Sequence, residues 1–466
     1  MPIVPSDIFL SSCIRGLVRQ ALTPEVCKQI GLALGAEARA RGYSKMVVGR
    51  DGRLLSQDYA TSLMTGLNDA GIDVFDLTLV PIGVVQTMAH ELADGCGVMV
   101  TAGRSPAAWG GFKPMLGGVP MSGEALQALQ RRIEAQDFVK GAGEFDRDNH
   151  VEDYIARIVA DVKLARPVKV VLDYGNGATA VLATELFTQL GCTVHEIWPQ
   201  VDGNFPNHFP DPTVPDNLVD VVSVQRSSAQ GEVGIVFSCD GAGMGVVDMR
   251  GYAVEPDRVL MLLAADLLAA QPGAMVLADT RSSERVQAFV QGKGGQFGLA
   301  PVGHALVDQA LHAQGAQLAG DLAGHYFFAD RWHGHDDALY AAARLVQAIS
   351  RFPDGASAAA ALAALPKAQA PAEIRIKAEP EVALDLVGAL ADQPFEGGTL
   401  TRLDTPQGLQ GLRVVWPEAL CVARAATSMP GLSLRFEGAN PAALRLAQEQ
   451  FKGAFSVVRP GVALPF

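Results

Sequence analysis

Five cationic side chains are the first candidates for chemistry: Arg15, Arg50, Lys113, Arg281 and Arg424. A guanidinium is a planar fork that fits phosphate oxygens bidentately, and a lysine ammonium adds a point charge. Each alone is weak evidence, because most Arg and Lys side chains are solvated surface groups. Together they would make a positive pocket for a small phosphate ester. A second candidate is the run His333, His335, Asp336 and Asp337. Imidazoles and carboxylates at that spacing suit a metal, but an Asp ahead of an apolar helical run is also an N-cap, and capping is the reading expected here. The chain has no HExxH, no GxSxG and no Gly-rich phosphate loop ending in Gly-Lys-Ser/Thr. Six cysteines (Cys13, Cys27, Cys96, Cys192, Cys239, Cys421) form no CxxC pair and no Cys/His cluster, so buried reduced thiols are expected.

The elements that must position these groups follow from pattern. Thr23 is a good N-cap and Pro24 suits the first helical position. Val26, Ile30 and Leu34 then repeat at helical spacing. The run Lys45–Gly49 predicts a strand that ends in the turn Arg50-Asp51-Gly52. A helix carrying Ala60, Leu63 and Leu67 follows, then a strand at Ile72–Leu77. Strand, turn, helix, strand is the signature of a parallel sheet. It returns at Val168–Leu172, with Asp173-Tyr174-Gly175 and a strand at Thr193–Trp198. It returns again at Met275–Ala278, with Asp279-Thr280-Arg281 and a strand near Phe297. Each turn lies at the C-terminal end of a strand, where α/β proteins place ligands. The last hundred residues differ. An Ala-rich helix and linker at Ala356–Pro371 precede predicted strands at Glu373–Ala378, Gly411–Trp416 and Leu432–Glu437, and a helix at Pro441–Phe455 closes the unit.

The chain is 466 residues long, too long for one core, so several domains are expected. Boundaries fall near residues 149, 253 and 366, giving units 1–148, 149–252, 253–365 and 366–466. Hydrophobic residues are 49% and charged residues 19%, a globular balance. A net charge of −13 argues against nucleic acid and anionic membrane as partners. The start, MPIVPSDIFLSS, lacks the basic flank and apolar run of a signal peptide, and no run is long enough to span a membrane. The expectation is a cytoplasmic protein.

Several longer segments carry a resemblance. They are VVGRDGRL (Val47–Leu54), VMVTAGRSP (Val98–Pro106), GGFK (Gly110–Lys113), DYGNG (Asp173–Gly177) and VDGNFPNHFPDP (Val201–Pro212). CDGAGMGVVD (Cys239–Asp248), GHYFFADRW (Gly324–Trp332), HDDALYAAARL (His335–Leu345) and LRFEG (Leu434–Gly438) complete the set. With them the chain resembles the α-D-phosphohexomutases, most closely the bacterial phosphomannomutase/phosphoglucomutase branch. The resemblance implies an α/β protein of four domains around a central cleft: three similar α/β domains with mixed sheets and a C-terminal α+β domain. It implies one loop from each domain, carrying in turn a phosphoserine, a Mg²⁺ site, sugar recognition and the grip on the substrate phosphate. Such an enzyme gives its phosphoryl group to a hexose phosphate and takes back the other phosphate from the bisphosphate.

Position by position, the loops depart from that pattern. The family's Thr-Ala-Ser-His-Asn-Pro is Thr101-Ala102-Gly103-Arg104-Ser105-Pro106 here, so the nucleophile position is Gly103. Thr101 and Ser105 are the hydroxyls nearest in sequence, each two residues away. The family's Asp-Gly-Asp-Gly-Asp-Arg is Ser238-Cys239-Asp240-Gly241-Ala242-Gly243 here. Here the ligand positions are Ser238, Asp240 and Ala242, with Gly243 in place of the Arg. One carboxylate makes a weak Mg²⁺ site, and no metal is expected. The sugar loop is Gly320-Asp321-Leu322-Ala323-Gly324-His325, with Asp for Glu and Ala for Ser. Its acid falls short by about 1.5 Å, the length of one C–C bond. His325 is either a ligand contact or a structural hydrogen bonder. The phosphate loop runs Arg424-Ala425-Ala426-Thr427-Ser428-Met429-Pro430 and is the least altered, although Arg424 could equally be a salt bridge. The substrate-binding set implied is Arg15, Lys113, Arg281, Asp321, His325, Arg424, Thr427 and Ser428.

These departures point to a protein without mutase activity. Its expected role is binding or regulation, with a hexose phosphate as ligand or with an active mutase or polysaccharide-pathway enzyme as partner. The alternative is a phosphohexomutase that interconverts hexose 1- and 6-phosphates by a non-standard or weakened mechanism. No cofactor is expected, and a monomer is the default.

Overall fold

The computed structural model describes residues 4–227, 231–405, 408–426 and 431–466. Its first sheet places strands in the order Ile14–Leu17, Trp109–Leu116, Gly97–Val100, Lys45–Arg50, Asp73–Leu79 and Phe145–Arg147, with Val119–Pro120 paired to Trp109–Leu116. The inner strands pair in parallel, and the Trp109–Leu116 and Ile14–Leu17 edge is antiparallel. The second sheet runs Ala253–Val254, Met244–Asp248, Val233–Phe237, Lys169–Asp173, Thr193–Ile197. The third runs Gln296–Ala300, Met275–Asp279, Leu318–Gly320, Tyr326–Phe328. Each has parallel inner pairs and an antiparallel edge, so all three are mixed. The fourth sheet is antiparallel throughout: Ile374–Ile376, Leu432–Gly438, Ala419–Ala425, Gly408–Trp416, Thr399–Thr405. The α/β class, with three mixed-sheet units and a C-terminal antiparallel sheet domain, is as expected.

The central strands are apolar runs because helices cover both faces. Val170, Val171 and Leu172 are fully buried, as are Val276, Leu277 and Ala278. Each of the three units then turns on the same device. Asp51 Oδ1 accepts from Arg53 N at 3.0 Å, Asp173 Oδ1 from Gly175 N at 2.8 Å, and Asp279 Oδ1 from Arg281 N at 2.7 Å. An Asp side chain mimics a backbone turn in this way. It ends the strand and sets the direction of the residues that follow.

Thr23 caps helix Pro24–Ala40 by accepting from Val26 N at 3.3 Å. Asp337 caps helix Ala338–Ser350 by accepting from Leu339 N and Tyr340 N, each at 3.1 Å. Most strand ends shift by a residue or two from expectation, and Gly411–Trp416 begins three residues earlier, at Gly408. Glu373–Ala378 shortens to Ile374–Ile376 and leaves Glu373 outside the ladder. One contiguous apolar core runs from Ile8 to Leu362 through the three α/β units. The C-terminal domain has its own core, from Val387 to Leu464. All six cysteines are buried and free. Among the described residues, no helix is long and apolar enough to cross a membrane.

Candidate active site

The loop at 101–106 leaves strand Gly97–Val100 and returns as Trp109–Leu116. Arg53 straps it from below. Its Nη2 donates to Gly103 O and Ser105 O, both at 2.7 Å, and its Nη1 to Pro106 O at 2.9 Å. Asp51 anchors the strap through Arg53 Nε at 3.1 Å. Thr101 is buried, and its hydroxyl donates to Asp51 Oδ2 at 2.7 Å while accepting from Gly103 N at 2.9 Å. That hydroxyl is committed to the loop. Ser105 Oγ accepts from Arg15 Nη1 at 2.9 Å. Gly103 has φ +56°, and a Cβ built there would sit 3.7 Å from Asp240 Oδ2 and 3.8 Å from Arg15 Nη2. A side chain at 103 would therefore point at the loop of the second unit.

That second loop, 238–243, links antiparallel strands Val233–Phe237 and Met244–Asp248. Asp240 Oδ1 accepts from Ser238 Oγ at 3.0 Å and from Ala242 N at 3.2 Å. Lys113 Nζ donates to Asp240 Oδ2 at 2.8 Å, with both side chains buried. Burial alone would raise the Asp240 carboxyl. The Lys113 ammonium and these hydrogen bonds outweigh burial and hold it below the usual carboxylate range. Magnesium needs carboxylate or phosphate oxygens. The donors here are one carboxylate already neutralised by an ammonium, one hydroxyl and, at Ala242, a methyl group. This set does not fit the ion.

In the third loop, Asp321 closes on its own turn. Oδ1 accepts from Ala323 N at 3.0 Å and His325 N at 2.9 Å, and Oδ2 meets His325 Nδ1 at 2.8 Å. With Nδ1 donating, His325 Nε2 is the acceptor for Arg104 Nη2 at 3.3 Å. Arg104 also lies 3.4 Å from Asp211 Oδ1. The shorter acid is thus spent on the loop itself.

At the fourth domain, Arg424 Nη2 donates to Glu373 Oε1 at 3.0 Å, and Ser433 Oγ bonds the same oxygen. Arg281 Nη1 lies 3.5 Å from Glu373 Oε2, and its Nη2 lies 2.5 Å from Asp279 Oδ2. A carboxylate therefore occupies the space between two guanidinium groups. Thr427 and Ser428 lie outside the described residues. The expectation of a broadly positive cleft needs correction, because Lys113, Arg281 and Arg424 are each ion-paired. Arg15 and Arg50 make their hydrogen bonds to neutral groups: Ser105 Oγ for Arg15, and Asp51 O and Gln57 Oε1 for Arg50. Sequence reasoning did not anticipate Glu373 or the Asp51–Arg53 strap. The strap had a signal, since an acid and a base sit two apart directly after a strand.

Comparison with known proteins places the fold in a family. The phosphoglucomutase/phosphomannomutase alpha/beta/alpha domains I, II and III match residues 6–140, 150–251 and 255–368 in order. The chain belongs to the phosphoglucomutase/phosphomannomutase family. Full-length phosphoglucomutase/phosphomannomutase relatives include the phosphomannomutase/phosphoglucomutase of Pseudomonas aeruginosa. It is 36% identical over 466 residues, covering 100% of this chain and 99% of the relative. The phosphoglucomutase of Neisseria gonorrhoeae is 36% identical over 97% of both chains. The crystal structure of a phosphoglucomutase/phosphomannomutase family protein from Burkholderia thailandensis superposes with a TM-score of 0.93, at 37% identity and over 100% of both chains.

Proposed function

We propose that this family member has lost phosphoryl transfer through position 103 and acts by binding a phosphorylated sugar or a partner enzyme. The observation that carries the reading is the direction of the missing side chain. Gly103 faces Asp240, which is already held by Lys113. A transferred phosphoryl group needs an attachment atom, and its charge must be met by metal and cations. Position 103 supplies no atom, and the one carboxylate facing it is neutralised. Thr101 is buried and engaged in two hydrogen bonds. Moving the attachment point costs rate steeply, on the order of 10²-fold per ångström. A hexose phosphate remains the proposed ligand, with Arg15, Arg281 and Arg424 as the guanidinium groups proposed to hold it. An active mutase or a polysaccharide-pathway enzyme is the proposed protein partner, and no metal is proposed at the 238–243 loop.

A second reading is that the chain is a working phosphohexomutase. The full-length identity to the Pseudomonas enzyme favours it, and Ser105 beside Arg15 is the hydroxyl it would use. One experiment separates the two. Purified protein is assayed with glucose 1-phosphate or mannose 1-phosphate, Mg²⁺ and added hexose bisphosphate, beside an identically prepared Arg424→Ala variant. The first reading expects no turnover above the variant. Turnover abolished by Arg424→Ala, with phosphate found on Ser105 by peptide mass, would establish the second.

A further inference from the structure

Away from these loops, four histidines and one aspartate meet where the first and third units touch. His90 comes from the last turn of helix Ile82–Leu92, and Asp308 and His312 from helix His304–Ala313. His333 and His335 precede helix Ala338–Ser350. Ligand atoms of Asp308, His312 and His335 all lie within 4.8 Å of one another. Asp308 Oδ2 is 2.5 Å from His335 Nδ1, and Asp308 Oδ1 is 3.8 Å from His312 Nε2. Oδ1 is buried without a hydrogen-bond partner. His90 Nε2 lies 2.8 Å from His335 Nε2, and the His90 ring stacks on His333 at 4.4 Å.

We propose that Asp308, His312 and His335 form a binding site for a divalent transition-metal ion of the zinc type. Imidazole and carboxylate donors suit Zn²⁺ and its neighbours, whereas hard Mg²⁺ prefers oxygen alone. Metal–ligand bonds of about 2.0–2.2 Å place tetrahedral donors about 3.3 Å apart. Small side-chain rotations bring the three atoms to that spacing and give the orphaned Asp308 Oδ1 a partner. Coordination through Nδ1 breaks its hydrogen bond with Asp308 Oδ2, releases that proton to solvent, and leaves His335 Nε2–H to donate to His90 Nε2. A ligating imidazole is commonly oriented through its second nitrogen in this way. Because His90 belongs to the first unit, the ion would also fasten that unit to the third. Gly334 makes the approach of His312 feasible: it has φ +86°, and a Cβ there would stand 2.8 Å from His312 Nε2. Asp308 and His335 are almost wholly buried, whereas the His312 side chain is 47% exposed and marks the entrance.

The test uses the full chain stripped with EDTA and dialysed. Zn²⁺ and Co²⁺ are titrated calorimetrically in excess Mg²⁺, and thermal unfolding is followed with and without Zn²⁺. One site is expected, with a rise in Tm when it is filled. His312→Ala, at a half-exposed position, and Asp308→Asn should each weaken binding by at least about tenfold. They should also abolish the rise in Tm. Absence of Zn²⁺ and Co²⁺ binding, or unchanged affinity in His312→Ala with its metal-free Tm intact, would overturn the proposal.

Discussion

Lys113 Nζ and Asp240 Oδ2 stand 2.8 Å apart across the junction of the first two units, both buried. The ammonium satisfies the carboxylate where a cation would otherwise be sought, so a strand of the first unit and a loop of the second form one neutral pair. Removing one partner of a buried pair leaves an uncompensated charge, which typically costs about 3–5 kcal/mol. Lys113→Met should lower stability by that order at pH 7, measured by urea unfolding. The loss should shrink in acid, where Asp240 takes up a proton in the variant.

Gly103→Ser tests the nucleophile position directly. The space is open, since the nearest atoms to a Cβ are 3.7 and 3.8 Å away. The positive φ costs a non-glycine residue about 1 kcal/mol. A slightly less stable protein with no gain in mutase turnover is expected from unfolding and coupled assays. A tenfold gain would mean that the Asp240 loop can still assemble a transfer site.

Glu373 competes with any anion for Arg281 and Arg424. Glu373→Gln keeps the hydrogen-bonding shape and removes the negative charge. Affinity for glucose 1-phosphate should rise about tenfold, or about 1.4 kcal/mol, by calorimetry. Adding Arg424→Ala should cancel the gain.

Asp257 gives a pH signature. Burial pushes its carboxyl up to about 6 against the pull of Arg435 and the Ser283 N–H. Its folded state holds a proton that the unfolded chain releases near 4, so its contribution to stability is full in acid and declines as pH rises from about 4 to 6. The slope is at most about 1.4 kcal/mol per pH unit. Asp257→Asn should remove that decline from a plot of unfolding free energy against pH.

What was legible in the sequence was local. The Val-rich strands, the Thr23 cap and the Asp337 cap each depend on neighbours within a few residues, and pattern finds them. Asp337 serves helix Ala338–Ser350 as expected, while His335, two residues earlier, turns to Asp308 instead. Trp109–Leu116 was visible only as the motif around Gly110–Lys113, because its two glycines and Pro114 break the strand pattern. Pairs joined only by the fold were not legible. Arg424 and Glu373 are 51 residues apart, and Lys113 and Asp240 are 127 apart. No periodicity links such positions. The same holds for Asp321, whose residue type suggested ligand binding and whose side-chain hydrogen bonds to Ala323 N, His325 N and His325 Nδ1 lie within its own turn.

The C-terminal domain meets the third unit along polar contacts. Arg435 Nε donates to Arg281 O at 2.9 Å, Arg413 Nη1 donates to Thr280 O at 2.8 Å, and Arg285 Nη1 meets Glu437 Oε1 at 2.8 Å. The domain keeps its apolar interior to itself. Such a boundary is a seam rather than a weld. Parting it wets groups that water can satisfy in turn, whereas prising apart the first three units would tear a shared oily interior. Glu373 and Arg424 lie on the same side of the seam, and Arg281 lies on the other. A swing of the last domain would therefore carry the acid and one guanidinium away as a matched couple, leaving Arg281 with Asp279 as its counter-charge.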